Sequence, residues 1–270
     1  DSEVIILLRR AERLLESRAP HRDDRDDHAS LRHDREGAQH EVIIPAGNVM
    51  LEGTLNVPRN AKGIVLFVHG SGSSRHSPRN RYVAEVLQAK GLATLLFDLL
   101  TSEENLIDRR TSELRFNIAL LTKRLIEVTR WVTQNAETRN LAVGYFSAST
   151  GAAAALIAAA RLPDVVTTVV SRGGRPDLAS EELGSVHAST LLIVGGLDEF
   201  VIGLNRQALA QLKCRSKQLV LVPGATHLFE EPGTLEQVAR VATEWLVHYL
   251  SPATLEKGST VLSGAEGTRS

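Results

Sequence analysis

Cysteines and long apolar runs are scarce in this sequence. Its 270 residues include one cysteine, Cys214, so no disulfide can form within the chain and the fold does not depend on an oxidising compartment. No apolar run approaches the roughly 18 residues that a membrane-spanning helix needs. The first such run, residues 4–8, is too short for the core of a signal peptide. We therefore expect a cytoplasmic protein without a membrane partner.

An excess of charge of one sign is missing as well. Lysine and arginine number 31 against 32 aspartates and glutamates, which leaves a formal net charge of −1. This balance gives no electrostatic reason to expect nucleic acid as a partner. Hydrophobic residues make up 43% of the chain and charged residues 23%, as in ordinary globular proteins. The length suits one large domain or two small ones.

The N-terminal part differs from the rest. Apolar residues at helical spacing predict a helix over 3–18. In the next segment, 19–37, 13 of the 19 residues are Arg, Asp, Glu or His, which predicts a solvated linker. Its histidines match no metal-ligand spacing, so we expect a polar tether and no metal site there. The predicted parts are the helix with its linker, a globular domain and a flexible tail, at residues 1–38, 39–251 and 252–270. Because the chain begins at Asp1 and its only methionine is Met50, we expect a piece of a longer product.

From residue 40 onward, short apolar stretches alternate with helical patterns. The stretches that predict strands are 42–44, 50–57, 63–68, 93–97, 141–145, 165–170, 190–194 and 218–222. Most are nearly continuous in Val, Ile and Leu, as expected for parallel strands covered by helices on both faces. The segments that predict helices are 78–90, 115–134, 150–161, 204–212 and 234–250. This alternation predicts an α/β fold with a doubly wound, mostly parallel eight-stranded sheet, which binds ligands beyond the carboxyl ends of its strands.

A serine lies on the turn between the strand 141–145 and an alanine-rich helix. The turn reads Ser147-Ala148-Ser149-Thr150-Gly151. A tight turn of this kind lifts the serine hydroxyl clear of the sheet and needs small residues two positions to either side. Ser149 meets that requirement through Ser147 and Gly151, with serine standing in for the first glycine of the Gly-x-Ser-x-Gly pattern. The turn predicts Ser149 as a nucleophile.

A glycine-rich loop follows the apolar strand 63–68. It reads His69-Gly70-Ser71-Gly72-Ser73 and matches neither of the common phosphate-binding glycine patterns. At a strand's carboxyl end, such a loop turns backbone N–H groups toward one point. We expect Ser71 N–H and Thr150 N–H to form an oxyanion hole.

Two later strands each end near an ionisable residue. The strand 190–194 runs into Asp198, and the strand 218–222 runs into His227. Nucleophile, acid and base then follow in the order Ser149, Asp198, His227, which places all three at one edge of a parallel sheet. Asp177, after the strand 165–170, is the alternative acid. We expect Asp198 in that role because Asp177 lies in a polar loop that resembles a helix cap.

These motifs together resemble the α/β-hydrolase superfamily and, within it, the dienelactone-hydrolase-like branch. The resemblance covers roughly residues 40–250 and rests on HGSGSS (69–74), SASTG (147–151), LLIVGGLD (191–198) and PGATHLFEEPG (223–233). Dienelactone hydrolases have a cysteine nucleophile where this chain has Ser149, and Cys214 falls in a helix-to-strand connection. The resemblance therefore implies a serine hydrolase of undefined substrate. Domains of this branch occur alone or fused behind a phosphoribosyltransferase domain, so an upstream fused domain or a homo-oligomer is a possible arrangement.

The expected reaction is hydrolysis of a small ester through an acyl-enzyme on Ser149. A large lid domain is not expected, since only about 20 residues separate the strands 165–170 and 190–194. The alternative for the arginines near the site is that they are solvated or form ion pairs with Glu103, Glu104, Glu181 and Glu182. Five arginines there offer contacts for an anionic substrate group: Arg75, Arg79, Arg81, Arg172 and Arg175. Of these arginines, Arg75, Arg79 and Arg172 are the predicted substrate-binding residues. Two alternatives stay open: a thioesterase, acyltransferase or peptidase with the same triad, and a binding domain that has kept the fold without catalysis.

Overall fold

The structure, a computed structural model, describes residues 38–251. The predicted N-terminal helix, charged linker and C-terminal tail lie outside these residues. The strands are β1 Ala38–Ala46, β2 Val49–Val57, β3 Ile64–Val68, β4 Ala93–Phe97, β5 Val143–Ala148, β6 Val166–Arg172, β7 Ser189–Gly195 and β8 Lys217–Val222. The helices of the described range are α1 Pro78–Ala89, α2 Ser102–Thr111, α3 Ile118–Gln134, α4 Gly151–Arg161, α5 Glu199–Gln211 and α6 Thr234–Leu250.

The eight strands form one sheet in the order β1-β2-β4-β3-β5-β6-β7-β8. β1 and β2 are an antiparallel hairpin, and β2 also pairs antiparallel with β4. The remaining pairs, from β4 through β3 to β8, are all parallel. The predicted doubly wound, mostly parallel eight-stranded sheet is therefore confirmed.

Helices cover both faces of the sheet, which explains why its central strands β3 and β4 are buried along their whole length. On one face, α3 and α4 pack on the sheet, and α3 contributes an i, i+4, i+7, i+11 row that is fully or nearly fully buried: Leu121, Leu125, Val128 and Val132. On the other face, α1 and α6 enclose the second apolar cluster. Burying each leucine contributes about 1.5–3 kcal/mol, so this packing is a major stabilising term.

Two helical segments differ from the sequence prediction. α2 was not predicted, although it carries a capping box in which Thr101 Oγ1 accepts from Glu104 N–H and Glu104 accepts from Thr101 N–H. α5 begins at Glu199, five residues before the predicted start, because Asp198 caps it by accepting from Val201 N–H. In both cases a short polar side chain at the N-cap starts the helix before its apolar pattern becomes visible.

The parallel strands place their carboxyl ends at one edge of the sheet, and the loops at that edge are short. Between β6 and β7, the described chain has two 3-10 turns, Pro176–Ala179 and Leu183–Ser185, and no lid domain. Across the described range, none of the helices is both long enough and apolar enough to cross a bilayer.

Candidate active site

Ser149 lies at the sharp turn between β5 and α4. Its φ of 48° is in the left-handed region, which a residue with a side chain occupies only when its surroundings enforce it. β5 ends at Ala148 and α4 begins at Gly151, so the direction of the chain reverses within two residues. The side chain is partly exposed while its neighbours Ala148 and Thr150 are buried. This strained turn presents one hydroxyl at the edge of the sheet.

Small residues around Ser149 permit the turn. A Cβ on Gly151 would lie 2.5 Å from the carbonyl oxygens of Val68 and His69, so no side chain fits there. A Cβ on Gly70 would come within 2.8 Å of Ser149 Cβ. Ser147, in place of a glycine, is fully buried and its hydroxyl donates to a backbone carbonyl at 3.0 Å. Ser147 is therefore accommodated in the interior because its hydroxyl is hydrogen-bonded.

Asp198 and His227 meet at the same edge. His227 Nδ1 lies 2.7 Å from Asp198 Oδ2. A carboxylate only accepts hydrogen bonds, so this contact assigns the proton of the neutral imidazole to Nδ1 and leaves Nε2 as the acceptor. The Asp198 side chain is 14% exposed and that of His227 33% exposed. The imidazole is thus oriented by a largely buried carboxylate and remains reachable from solvent.

Gly195 and Glu231 both contact the loop that carries His227. Gly195, at the end of β7, approaches so closely that a Cβ there would lie 2.5 Å from the carbonyl oxygens of Ala225 and Thr226. Glu231 accepts from Thr226 N–H at 3.1 Å and from Thr226 Oγ1 at 2.5 Å. These bonds lower the pKa of the exposed Glu231 carboxyl. Sequence reasoning missed Glu231, whose only signal was its place four residues beyond the histidine.

The end of β6 lies against both Ser149 and His227. Arg172 carbonyl accepts from Ser149 N–H at 3.4 Å. A Cβ on the next residue, Gly173, would lie 3.2 Å from His227 O and about as close to its ring, with 3.5 Å to Cε1. Gly173 has a φ of 53°, so this close approach needs glycine for two reasons. The main chain at the end of β6 and at Gly173 therefore contacts both Ser149 and His227.

Asp177, the alternative acid, is occupied elsewhere. Its two carboxylate oxygens accept from Arg175 Nε at 2.8 Å and from Arg175 Nη2 at 2.7 Å. The Arg175 guanidinium also lies over the ring of Phe200, 5.9 Å from its centroid. Of the two candidate acids, the structure brings Asp198 to His227 and pairs Asp177 with an arginine.

The loop after β3 contacts the start of α4 through Ser71 and Thr150. Ser71 N–H donates to Thr150 Oγ1 at 3.2 Å, and the two hydroxyls are 2.9 Å apart. The two predicted oxyanion-hole residues are therefore adjacent. The Ser71 N–H is engaged by the threonine side chain, while the Thr150 N–H donates to no protein group in residues 38–251. The sequence pattern could not distinguish these two states of the N–H groups.

His69 links that loop to the residues after β4 through its two ring nitrogens. Its Nδ1 lies 2.9 Å from Gly70 O, and its Nε2 accepts from Leu99 N–H at 3.1 Å. These partners are consistent only with a neutral ring whose proton is on Nδ1. Burial lowers the pKa of His69 below its usual 6.5, against the opposing effects of Gly70 O and Asp98. His69 is thus a neutral structural bridge between the ends of β3 and β4.

Arg75, one of the predicted substrate-binding residues, anchors the other end of the loop through ion pairs. Its Nη1 lies 2.6 Å from Asp98 Oδ2, and its Nη2 lies 2.8 Å from Glu52 and 3.5 Å from Glu41. Burial opposes the charge, but the pKa of Arg75 is raised because the bond to Asp98 and these charges outweigh it. Carboxylates on β1, on β2 and just after β4 therefore pair with this guanidinium, while its buried Nε has no hydrogen-bond partner among residues 38–251.

Arg79 and Arg172 are the other two predicted substrate-binding arginines. Arg79, on the first turn of α1, donates to Glu230 at 3.0 Å. Arg172, the last residue of β6, is 9% exposed and its Nη1 has no hydrogen-bond partner. The glutamates that the sequence offered as partners bind different arginines: Glu104 binds Arg124, and Glu182 binds Arg161.

No described group of three or more His, Cys, Asp or Glu side chains is arranged to hold a metal ion. Cys214 is buried in the connection between α5 and β8. At this edge the described residues present a hydroxyl, an imidazole paired with a carboxylate, and the free Thr150 N–H at the start of α4.

Comparisons with known proteins place the chain in a family. A dienelactone hydrolase of Anabaena variabilis of known crystal structure is 60% identical, with a TM-score of 0.78 over 80% of this chain and 99% of that one. Est1E from Butyrivibrio proteoclasticus, at 16% identity and a TM-score of 0.66 over 77% of this chain and 98% of that one, shares the fold. No protein-family model matches.

Two curated relatives from Mycobacterium tuberculosis, strains CDC 1551 and H37Rv, are each 59% identical over 212 residues. Both are provisionally named phosphoribosyl transferases. The match takes in 78% of this chain but 46% of each relative, so the chain spans about half their length. With its sheet, its Ser149 turn and its near-full-length similarity to the Anabaena enzyme, the chain belongs to the dienelactone-hydrolase-like branch of the α/β-hydrolase superfamily.

Proposed function

We propose that this chain is a serine hydrolase that cleaves small esters through an acyl-enzyme. In this proposal Ser149 is the nucleophile, His227 the general base and Asp198 the residue that orients the histidine. The observation that carries the proposal is the 2.7 Å contact between His227 Nδ1 and Asp198 Oδ2, at the edge where the strained turn presents Ser149. The same observation favours Asp198 over Asp177, which is paired with Arg175.

In the first half of the reaction, Ser149 Oγ attacks the ester carbonyl carbon while His227 Nε2 takes the hydroxyl proton. The imidazole becomes positively charged as it accepts the proton, and the carboxylate of Asp198 stabilises that charge. Collapse of the tetrahedral intermediate breaks the bond to the alcohol oxygen. The alcohol leaves with the proton from His227, and the acyl group remains on Ser149.

The negative oxygen of the tetrahedral intermediate needs donors at the start of α4. Thr150 N–H supplies one, because it is free of protein partners in residues 38–251 and lies beside Ser149. Ser71 N–H supplies the second by turning from Thr150 Oγ1, to which it makes a long bond of 3.2 Å. A preorganised donor of this kind typically lowers the barrier by about 3–4 kcal/mol.

In the second half, water attacks the acyl carbon while His227 again accepts a proton. The bond between Ser149 Oγ and the acyl carbon then breaks as His227 returns the proton to Oγ, which releases the free acid and regenerates Ser149. Small esters fit best because the described chain has only short turns between β6 and β7, where a lid domain would enclose a long acyl chain. The chemistry needs no cofactor.

The test is hydrolysis of para-nitrophenyl acetate and butyrate by the wild type and by Ser149→Ala. We expect the variant to lose nearly all activity while its circular dichroism spectrum and unfolding temperature stay close to those of the wild type. Equal rates in the two proteins would refute the mechanism. Labelling by a fluorophosphonate probe locates the nucleophile, and the absence of an adduct on Ser149 would favour a binding domain without catalysis.

Other acyl-transfer activities use the same residues, and the assay separates them. Thioesters, peptides and alcohol acceptors tested beside the oxygen esters would reveal a thioesterase, a peptidase or an acyltransferase. For the longer mycobacterial relatives, we propose that the half aligned with this chain is the hydrolase half. Phosphoribosyl transfer, if those proteins perform it, then belongs to the half that this chain does not match.

A further inference from the structure

The hydroxyl of Thr150 does not cap the helix that this residue begins. Thr150 is the N-cap of α4, and its side chain makes no hydrogen bond to the first turn of that helix. A threonine at an N-cap normally accepts from a backbone N–H two or three residues later. Ser77 and Thr101 do so at the starts of α1 and α2. The Thr150 hydroxyl, on a residue that is 1% exposed, therefore has a different role.

The Thr150 hydroxyl binds Ser71, which lies 79 residues earlier in the chain. Ser71 N–H donates to Thr150 Oγ1 at 3.2 Å, and Ser71 Oγ lies 2.9 Å from the same atom. Ser71 Oγ in turn donates to the Arg115 carbonyl at 3.4 Å. A hydroxyl has one proton, so with the Ser71 proton on that carbonyl, the Thr150 proton lies between the two hydroxyls. Thr150 then accepts from one atom of Ser71 and donates to another, which fixes its side chain against the loop.

The loop around Ser71 is held on both sides. Before it, Gly70 O contacts His69 Nδ1 at 2.9 Å. On the other side, the Arg115 residue that accepts from Ser71 Oγ is held by Asp108, which accepts from the Arg115 backbone N–H at 3.0 Å. A backbone donor that is fixed before the substrate arrives is the kind that stabilises an oxyanion. Ser71 N–H meets this requirement, but its acceptor in the free protein is a side chain of the protein itself.

Thr150 Oγ1 and the oxygen of the tetrahedral intermediate compete for the same donor. When Ser71 N–H turns to the oxyanion in the proposed reaction, its bond to Thr150 Oγ1 is lost. The value of kcat/KM compares the transition state with the free enzyme and free substrate, and this bond belongs to the free enzyme. The Thr150 hydroxyl therefore stabilises the free enzyme relative to the transition state, which raises the barrier.

We propose that the Thr150 side chain is a positioning residue for the oxyanion hole: an acceptor within the protein that holds Ser71 N–H in the free enzyme and that each substrate displaces. This inference rests on the proposed function, since it assigns a second role to a residue of that same site. It concerns the hydroxyl alone, and the backbone N–H of Thr150 remains an oxyanion donor. The contact orders the loop at a cost in rate, which is an exchange of activity for stability.

The test replaces Thr150 by valine, which has nearly the same shape but no hydroxyl. A valine methyl group fills the place of Oγ1, so a water molecule does not take over as the acceptor. We expect kcat/KM for para-nitrophenyl butyrate to rise roughly 2- to 10-fold, as when one ordinary hydrogen bond no longer competes. The urea midpoint of unfolding should fall, because Ser71 N–H then has no acceptor in the folded protein. A merely structural hydroxyl would give the loss of stability without the gain in rate.

Thr243→Val is the matched control, because Thr243 is 6% exposed on α6 and its hydroxyl donates to Ala239 O. It should lower the urea midpoint while kcat/KM stays at the wild-type value. Thr150→Ser restores the hydroxyl and should lose most of the gain that valine gives. Thr150→Ala removes the hydroxyl but leaves room for a water, so its gain should be smaller. If the valine variant does not fold, a kcat/KM of Thr150→Ala above that of the wild type supports the inference, and one at or below it overturns it.

Inhibition by phenylboronic acid gives a readout without turnover. Ser149 Oγ bonds to boron while His227 takes the hydroxyl proton, which leaves a tetrahedral anion that resembles the transition state. The inhibition constant should fall in Thr150→Val by about the factor by which kcat/KM rises, and should not change in Thr243→Val. If Thr150→Val gains neither rate nor affinity while Ser149→Ala is inactive, the inference is wrong and the proposed function stands. Wild-type activity in Ser149→Ala would instead remove the proposed function and, with it, the inference.

Discussion

Asp198→Asn is the substitution that tests the proposed triad most directly. Asparagine has nearly the shape of aspartate but no charge, so it changes the group that faces His227 Nδ1 with little change in packing. Asp198 also caps α5 by accepting from Val201 N–H at 3.4 Å. Asparagine caps helices about as well as aspartate, so the helix start should be retained. The variant therefore isolates the effect on the imidazole.

The size of the effect follows from the geometry. When His227 becomes positively charged, its charge and that of Asp198 are separated by the 2.7 Å of their hydrogen bond. Two unit charges at that distance interact by about 6 kcal/mol at an effective dielectric constant of about 20. The histidine side chain is 33% exposed, so solvent screening reduces this value. We expect a loss of about 4 kcal/mol in transition-state stabilisation, which is about a 1000-fold decrease in kcat/KM.

The assay is hydrolysis of para-nitrophenyl butyrate, with the unfolding temperature measured on the same samples. Asp177→Asn is the matched control, because it removes the same charge from the alternative acid. It breaks the ion pair with Arg175, so it should lower the unfolding temperature while kcat/KM stays within about threefold of the wild type. The two variants separate loss of stability from loss of catalysis.

One pattern of results would refute the reasoning. If Asp198→Asn keeps more than about one tenth of the wild-type kcat/KM while Asp177→Asn loses more than that, the histidine is oriented by a different acid during turnover. A folded Asp198→Asn protein with full activity would show that the observed contact has no part in the rate. Either result would remove Asp198 from the proposed mechanism.

Three further predictions concern the loop beneath the proposed oxyanion hole. Gly70→Ala should lower kcat and destabilise the fold by about 1–3 kcal/mol, because its Cβ would lie 2.8 Å from Ser149 Cβ; esterase kinetics and urea unfolding measure both. Arg75→Met should reduce the free energy of unfolding by about 2–3 kcal/mol, since the Asp98 carboxylate, 12% exposed, loses its partner. The free energy of unfolding should also decline as the pH falls below 6.5, because unfolding exposes His69, whose pKa burial lowers in the folded state, and the unfolded chain then takes up a proton. Urea unfolding at a series of pH values should show a smaller decline in His69→Gln.

Each of these has a clear contrary outcome. A Gly70→Ala protein with wild-type kinetics would mean that the loop moves away from the serine at no cost. An Arg75→Met protein as stable as the wild type would show that Asp98 is hydrated rather than dependent on the arginine. The same decline in stability below pH 6.5 with and without His69 would assign the proton uptake to another group.

The candidate site could be predicted in part because its signals are local. Ser149 is flanked by small residues on a strand-to-helix turn, and Asp198 and His227 each follow an apolar strand. The partners that hold these groups could not be predicted in this way. Glu231 lies close in sequence to the Thr226 that it binds, but it belongs to no pattern that marks it. Gly173 approaches His227 from the end of a different strand, which no spacing in the sequence reports. The partners of the arginines could not be predicted either, since charge alone does not say which carboxylate a guanidinium reaches.

By itself, the sequence determined the alternation of strands and helices, the doubly wound sheet and the order in which a serine, an acid and a histidine reach its edge. Apolar periodicity carries that information, because burial on both faces of a parallel sheet demands it. Only the tertiary structure decided which acid faces His227, why Arg75 is an anchor and where the Thr150 hydroxyl binds. Those outcomes depend on hydrogen bonds and charges between segments far apart in the chain, where a shift of an ångström or two changes the partner.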